Sequence, residues 1–214
     1  MQLFVTGTGT GVGKTRFTTQ WVRHWRARGV SAVGLKPISA GDRDDAKELQ
    51  AAAQDALSLD AINPCVFDLP LSPWVASLQP KETGRIDYDA IGASIAAARA
   101  RFSHVAVEGV GGWLVPLEKK RTVADWAKEL GLPVVIVGHG GLGTLNHVLL
   151  TIESVGKSGL DVAGVVLNHH LSPEGDLAAR TNGAALREWT GLPVVEIAAH
   201  GALPDRGAPW LAGE

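Results

Sequence analysis

The sequence predicts an α/β protein: an open, mostly parallel, doubly wound sheet with helices on both faces. Three observations predict it. Short apolar runs alternate with stretches of helical spacing from Leu3 to Ile197, the mark of successive strand-helix units. One run, Pro133 to Val137, is apolar throughout, as in a strand covered on both faces. The polar residues ending three runs, Lys36, Glu108 and Asn168, would share the carboxyl edge of such a sheet, where ligands bind.

The elements follow in order. Leu3, Phe4 and Val5 start the first strand, a glycine-rich turn follows, and Phe17, Trp21 and Trp25 recur every four residues on a helix. Arg28-Gly29 stops that helix. Ser31 to Leu35 is the second strand, and Pro37 keeps Lys36 extended at its end. Ile38 to Asp44 reads as a loop and Asp45 to Leu57 as a helix. Asn63-Pro64 introduces an extended Cys65-Val66-Phe67. Pro70, Pro73 and Pro80 punctuate an irregular stretch with a short helix around Trp74 to Leu78, the kind of region that often faces substrate.

Tyr88, Ile91, Ile95 and Phe102 put an apolar stripe on a helix from Asp87 to Arg101. The strand His104 to Val107 ends in Glu108-Gly109-Val110-Gly111-Gly112. Thr122, with Asp125 three residues on, caps a helix that buries Val123, Trp126, Ala127 and Leu130. After the apolar strand come a glycine turn from Gly138 to Gly143 and a helix from Thr144 to Lys157. Then come a strand from Val162 to Leu167, a helix from Glu174 to Trp189 and a last strand from Leu192 to Ile197. The seven tryptophans read mostly as core, with Trp113 as a pocket wall. The length fits a single domain over residues 1–214.

The first turn carries the most specific chemistry. A strand, the glycines 7, 9, 11 and 13, then Gly13-Lys14-Thr15 and a helix make a phosphate cradle of the P-loop NTPase type. Glycines turn backbone N–H groups inward, and the helix start adds its positive end. Lys14 can neutralise terminal phosphate charge and the Thr15 hydroxyl can ligate Mg²⁺. Thr8 stands where the common motif has its first glycine, so Gly7 makes the loop one residue longer. Lys14 is expected to be exposed when no phosphate is bound.

Composition excludes several classes. A net charge of −2 gives no bulk attraction to nucleic acid or a membrane surface. No apolar run reaches the ~18 residues that cross a bilayer. The first residues form a strand and not an export signal. The one cysteine, Cys65, allows no internal disulfide and fits a cytoplasmic location; it reads as a small buried or half-buried residue. The seven histidines show no metal-ligand spacing.

Other candidates carry two readings each. Glu108 is a metal-binding carboxylate, or a cap or surface acid. Asp44 and Asp45 precede a helix, so each is a cap or a metal ligand. Lys36 is a solvated lysine, or a second charge on the phosphate site. Asn168 is a turn residue, or presents its amide to a nucleobase edge. Ser39 caps its loop or meets substrate.

Together the motifs VTGTGTGVGKT (Val5 to Thr15), GLKPISAG (Gly34 to Gly41), DAKELQ (Asp45 to Gln50), NPCVF (Asn63 to Phe67), LSPWVAS (Leu71 to Ser77), VEGVGGWLVPL (Val107 to Leu117), ADW (Ala124 to Trp126) and LGTLNHVLLT (Leu142 to Thr151) resemble those of the dethiobiotin synthetases. These are ATP-dependent cyclo-ligases of biotin synthesis, and the resemblance spans essentially the whole chain. It implies that 7,8-diaminopelargonate and CO₂ form a carbamate, that the carbamate attacks the γ-phosphate of ATP, and that the second amine closes a cyclic urea.

By motif position, the resemblance assigns the nucleotide phosphates to Gly11, Val12, Gly13, Lys14, Thr15 and Arg16. It assigns Mg²⁺ to Thr15, Asp45 and Glu108, with Gly109, Val110 and Gly111 lining the nucleotide site. Lys14 and Lys36 are the catalytic charges and Asn168 meets the base. Ser39 contacts substrate. Gly143, Thr144, Leu145 and Asn146 receive the substrate carboxylate across a two-fold homodimer.

The chain departs from the family pattern at Gly11, where some members have an acid, and at Ala40, where some have serine. It also departs after Ile197, where Ala198-Ala199-His200 lacks a common proline. The cofactor expected is therefore ATP or another nucleoside triphosphate. Two other classes share the loop: switch ATPases of the partition or septum-site kind, and amidotransferase synthetase domains. The first normally carries a lysine where this chain has Gly9.

Overall fold

The computed structural model describes residues 1–170, 172 and 175–212. The chain runs β1 (Gln2–Gly7), α1 (Lys14–Arg26), β2 (Ala32–Leu35), β3 (Ile38–Ala40), α2 (Asp44–Ala52), α3 (Leu59–Ile62), β4 (Cys65–Phe67), α4 (Pro73–Ser77) and α5 (Tyr88–Arg101). It continues through β5 (His104–Glu108), β6 (Pro116–Glu118), β7 (Arg121–Thr122), α6 (Val123–Leu130), β8 (Val134–His139), α7 (Thr144–Lys157), β9 (Val162–Asn168), α8 (Leu177–Thr190) and β10 (Val194–Ile197).

Six strands form the central sheet in the order β10-β9-β8-β1-β5-β2, and every pairing in it is parallel. Later strands lie on both sides of β1. With the right-handed connections general to parallel sheets, that order puts helices on opposite faces, which is the doubly wound arrangement. Phe4, Val5, Val105, Ala106, Val107 and the run Val134 to Val137 are all buried, because both faces of these strands are covered.

Helix α1 buries Phe17, Trp21, Val22 and Trp25. Trp21 donates its indole N–H to the carbonyl of Trp210, so the C-terminal segment closes over this helix. At α6 the Thr122 hydroxyl accepts from the Asp125 N–H and the Asp125 carboxylate accepts from the Thr122 N–H. That reciprocal cap satisfies two free donors at the helix start.

Four expectations change. Ile38 to Asp44 is not all loop, because Ile38–Ala40 pairs in parallel with Cys65–Phe67. Three residues between prolines and glycines carry too little periodicity to show this. Helix α2 ends at Ala52, where Gln54 and Asp55 turn to positive φ. Phe102 follows α5 as its cap and does not belong to the helical stripe. Trp189 is 79 % exposed and not core. The short hairpin β6-β7 had no clear pattern. The expected start of the eighth helix at Glu174 lies outside the described residues.

Candidate functional site

The carboxyl edge of the sheet gathers the predicted polar residues. Strand β2 pairs with β5 so that Leu35 stands beside Val107. The next residues, Lys36 and Glu108, are therefore neighbours. Lys36 Nζ lies 2.7 Å from Glu108 Oε1 and 2.7 Å from Asp45 Oδ2. Thr15 donates its hydroxyl to the same Glu108 Oε1 at 2.8 Å. Glu108 is wholly buried, and its Oε2 is buried with no hydrogen-bond partner.

Thr15, Lys36 and Asp45 line a cleft of about 320 Å³ with Gly11, Lys14, Arg16, Val110 and Gly111, and the buried Glu108 reaches it only through Lys36 and Thr15. Asp45 therefore faces the site, whereas Asp44 pairs with Lys47 on the surface. Burial pulls the Lys36 ammonium down, but Glu108 and Asp45 outweigh it and the pKa rises. Burial pushes Asp45 up, and Lys36 and the Thr15 hydroxyl more than reverse this, so it is lowered.

Lys14 is not exposed. It is 6 % accessible, and Nζ donates to the Gly9 carbonyl at 3.0 Å. The loop curls around its own lysine, a closure that the spacing of glycines does not reveal. Burial, then the charge of Lys36, lowers its pKa to about 8.

Two carboxylates and one hydroxyl, with a carboxylate oxygen buried and unpartnered, suit a hard divalent cation. Such an ion completes its shell with water and phosphate oxygens. Among the described residues no group of three or more His, Cys, Asp or Glu could hold a metal ion.

Asn168 is wholly buried behind the loop. Its amide donates to the Val12 carbonyl at 3.1 Å and accepts from Arg16 Nη1 at 2.7 Å. A Cβ at Gly13 would lie 1.7 Å from that amide nitrogen, and Gly13 has φ +95°. Only glycine lets the loop pass here. Arg16 extends its other amino group to the carbonyls of Ala198, Ala199 and Gly201. Both side chains are thus engaged with backbone and with each other. Beyond them lies a cavity of about 770 Å³ lined by His169, His170, Asp176, Glu196 and His200.

Ser39 is buried and donates to Asn63 Oδ1 at 3.1 Å. Gly109 packs close to the Phe4 ring, with which a Cβ there would be in tight contact. Trp113 walls a third cavity of about 400 Å³, with Thr8, Thr10, Val115 and Leu150. At the start of α7, Gly143 takes φ +89°, Thr144 is buried and Asn146 is exposed. None of Gly143, Thr144, Leu145 and Asn146 lines the Lys14–Lys36 cleft of its own chain.

Two contributors were missed. Asn63 is buried and donates to the Lys36 carbonyl at 2.7 Å, which fixes the lysine's backbone. Glu48 lines the cleft. Burial, then Asp45 and Glu108, raise its pKa. The position of Glu48, three residues after Asp45 on one helix, is the signal that shows it.

A family model described as an AAA domain matches residues 1–205. The ATP-dependent dethiobiotin synthetase of Anaeromyxobacter dehalogenans is 44 % identical over 193 residues, covering 88 % of this chain and 85 % of that protein. That of Akkermansia muciniphila is 38 % identical over 197 residues, covering 92 % and 91 %. Among solved structures, the cell division protein FtsY of Thermotoga maritima matches with a TM-score of 0.60 and 16 % identity, over 99 % of this chain and 66 % of that one. The septum site-determining protein MinD of Pyrococcus horikoshii, complexed with Mg-ADP, matches at 0.53 and 15 %, over 93 % and 82 %. These structures share the fold. No helix among the described residues is long and apolar enough to cross a membrane. With relatives of this identity along nearly its whole length, the chain belongs to the family of ATP-dependent dethiobiotin synthetases, which are ligases.

Proposed function

We propose that the protein converts 7,8-diaminopelargonate and CO₂ to dethiobiotin, with release of ADP and phosphate from ATP. The observation that carries this is one cleft at the carboxyl edge of the sheet lined by Lys14, Lys36, Thr15 and Asp45, with Glu108 bonded to Lys36 and Thr15. Phosphoryl transfer needs placed charge more than a strong base, and this cleft supplies it.

One substrate amine adds to CO₂ and loses a proton, giving a carbamate. A carbamate oxygen attacks the γ-phosphorus and ADP leaves. The second amine then attacks the carbonyl carbon of the mixed anhydride, and phosphate leaves as the ring closes. Lys14 sits in the loop that would hold the phosphates and faces charge on the transferring group. Lys36, fixed by Asn63 and Pro37, lies where phosphate and carbamate would meet. A bound Mg²⁺ would be held by Thr15, Asp45 and Glu108, and would neutralise phosphate oxygens. Burial of Glu108 keeps bulk water from that carboxylate.

The cavities divide the remaining work. The one walled by Trp113, Leu150 and Thr10 suits the aliphatic part of the substrate. The larger one beyond Asn168 suits the nucleoside. The helix start at Gly143, which has no side-chain cap, suits a carboxylate. Because it lies outside its own chain's cleft, we place it in the active site of a second subunit, in a homodimer. Residues 1–214 act as one domain.

The test is a mass-spectrometric assay for dethiobiotin, with phosphate release measured with and without diaminopelargonate and bicarbonate. Product that requires ATP, both co-substrates and Mg²⁺ supports the reading. Phosphate release that responds to neither co-substrate overturns it in favour of a switch ATPase.

A further inference from the structure

Arg16 makes an unusual set of contacts for an arginine beside a phosphate loop. Nη1 donates to Asn168 Oδ1 at 2.7 Å. Nη2 lies 2.7, 2.9 and 3.1 Å from the carbonyl oxygens of Ala198, Ala199 and Gly201. Asn168 in turn donates to the Val12 carbonyl. A continuous chain of hydrogen bonds therefore runs from the phosphate loop through Asn168 and Arg16 to the turn after β10. Among the described residues the guanidinium finds no carboxylate acceptor.

Apart from a long contact of Gln20 Nε2 with the Gly201 carbonyl, at 3.4 Å, that turn has little else to shape it. It follows the last residue of the edge strand β10 and carries one backbone hydrogen bond of its own, Gly201 N–H to the Ala198 carbonyl. Its sequence, Ala198-Ala199-His200-Gly201, has no proline and only one long side chain. Yet Ala198, Ala199 and His200 line the 770 Å³ cavity. A planar fork of donors pre-organises several acceptors at once, which a flexible ammonium does not.

We propose that Arg16 is a positioning residue that fastens the 198–201 turn to the helix of the phosphate loop, and so sets the nucleoside cavity in register with the phosphate cradle. This rests on the assignment of that cavity to the nucleoside. Arg16 also lines the Lys14–Lys36 cleft, but its hydrogen bonds go to Asn168 and the turn, so in this proposal it acts through the turn and not as a phosphate ligand.

Two ligands separate these roles. Inorganic pyrophosphate reads the cradle alone, and ADP reads cradle and cavity together. Both are titrated calorimetrically, with Mg²⁺ present, into the parent, Arg16→Met and Arg16→Lys. The expected result for Arg16→Met is pyrophosphate affinity within about twofold of the parent and ADP affinity lower by about tenfold or more, the net worth of one or two such hydrogen bonds. Arg16→Lys keeps a cation without the fork and shows the same pattern at smaller amplitude. It also serves as the reading if thermal melting shows that Arg16→Met does not fold.

Equal losses for both ligands would make Arg16 a phosphate ligand and overturn the proposal. So would unchanged ADP affinity. If the parent binds pyrophosphate but gains nothing from the nucleoside of ADP, the cavity assignment fails instead.

Discussion

Lys36 and Glu108 form a buried ion pair across the carboxyl ends of two adjacent strands, with Nζ 2.7 Å from Oε1 and side chains 5 % and 0 % exposed. The pairing register places them there. Asp45 and Thr15 complete the cluster from the second helix and the phosphate loop. Lys36 takes Glu108 Oε1 and Asp45 Oδ2 and leaves Glu108 Oε2 without a partner. In the proposed site a divalent ion would draw on the same two carboxylates as the lysine.

Removing one partner of a buried pair leaves the other charge uncompensated, at a cost of about 3–5 kcal/mol. Lys36→Met should therefore lower the unfolding free energy by about that amount without added metal. The double variant Lys36→Met with Glu108→Gln should recover much of the loss. Urea denaturation of the four proteins measures the coupling. Additive losses would show that the pair contributes nothing as a pair.

Lys14→Ala should behave oppositely. Turnover should fall at least ~100-fold, equivalent to ~2.7 kcal/mol of transition-state stabilisation. Stability at neutral pH should stay level or rise, because a buried charge next to Lys36 is removed. The pH dependence follows from the lowered pKa. Between about 8 and the ordinary lysine value of 10.5, the unfolded chain holds a proton that the folded one has lost. Stability from this group therefore rises with pH across that window. Melting curves from pH 7 to 10.5 should show the rise in the parent relative to Lys14→Ala, and parallel curves would refute it.

Asp45→Asn and Glu108→Gln should each raise the Mg²⁺ concentration that gives half-maximal phosphate release, by about tenfold or more, since each removes one of two carboxylates. An unchanged Mg²⁺ titration in both would leave these acids as partners of Lys36 alone.

Cys65 is 2 % exposed, and burial raises its thiol pKa. The thiolate is the reactive form. Alkylation by iodoacetamide at pH 8 should be slow in the folded protein and become fast in denaturant. Over the folded range the rate should climb about tenfold per pH unit while the thiol stays below its pKa. Equal rates in the two states would mean that the β3-β4 pair opens freely.

The fold was legible because its sheet is parallel. Strands such as Val134 to Val137, covered on both faces, stand out as apolar runs, and helices such as α7 keep clear boundaries. Glu108 and Lys36 were legible because strand ends in this architecture share one edge. The folded-back Lys14 was not, because it depends on how a glycine loop closes in three dimensions. Nor were the Asn168–Arg16 contacts, since they join residues 152 positions apart. Strand β3 was hidden by its length of three residues.

The proposed dimer gives the sharpest test of the site as a whole. The helix start at Gly143 has no side-chain cap and lies outside its own chain's cleft. The substrate carries its carboxylate several bonds from the reacting amines. If the partner's helix receives that carboxylate, each site is built from two chains. Thr144→Glu places a negative charge at that helix start and should block the carboxylate. Lys14→Ala removes the phosphate charge from the other end. Neither variant should turn over alone. Mixed in equal amounts and allowed to exchange, roughly half the dimers carry one chain of each kind, given random pairing in a two-fold dimer. In each of those, one site has both defects and the other has none. Activity should return to roughly a quarter of the parent value. If subunit exchange is demonstrated by mass spectrometry and activity does not return, each site is complete within one chain.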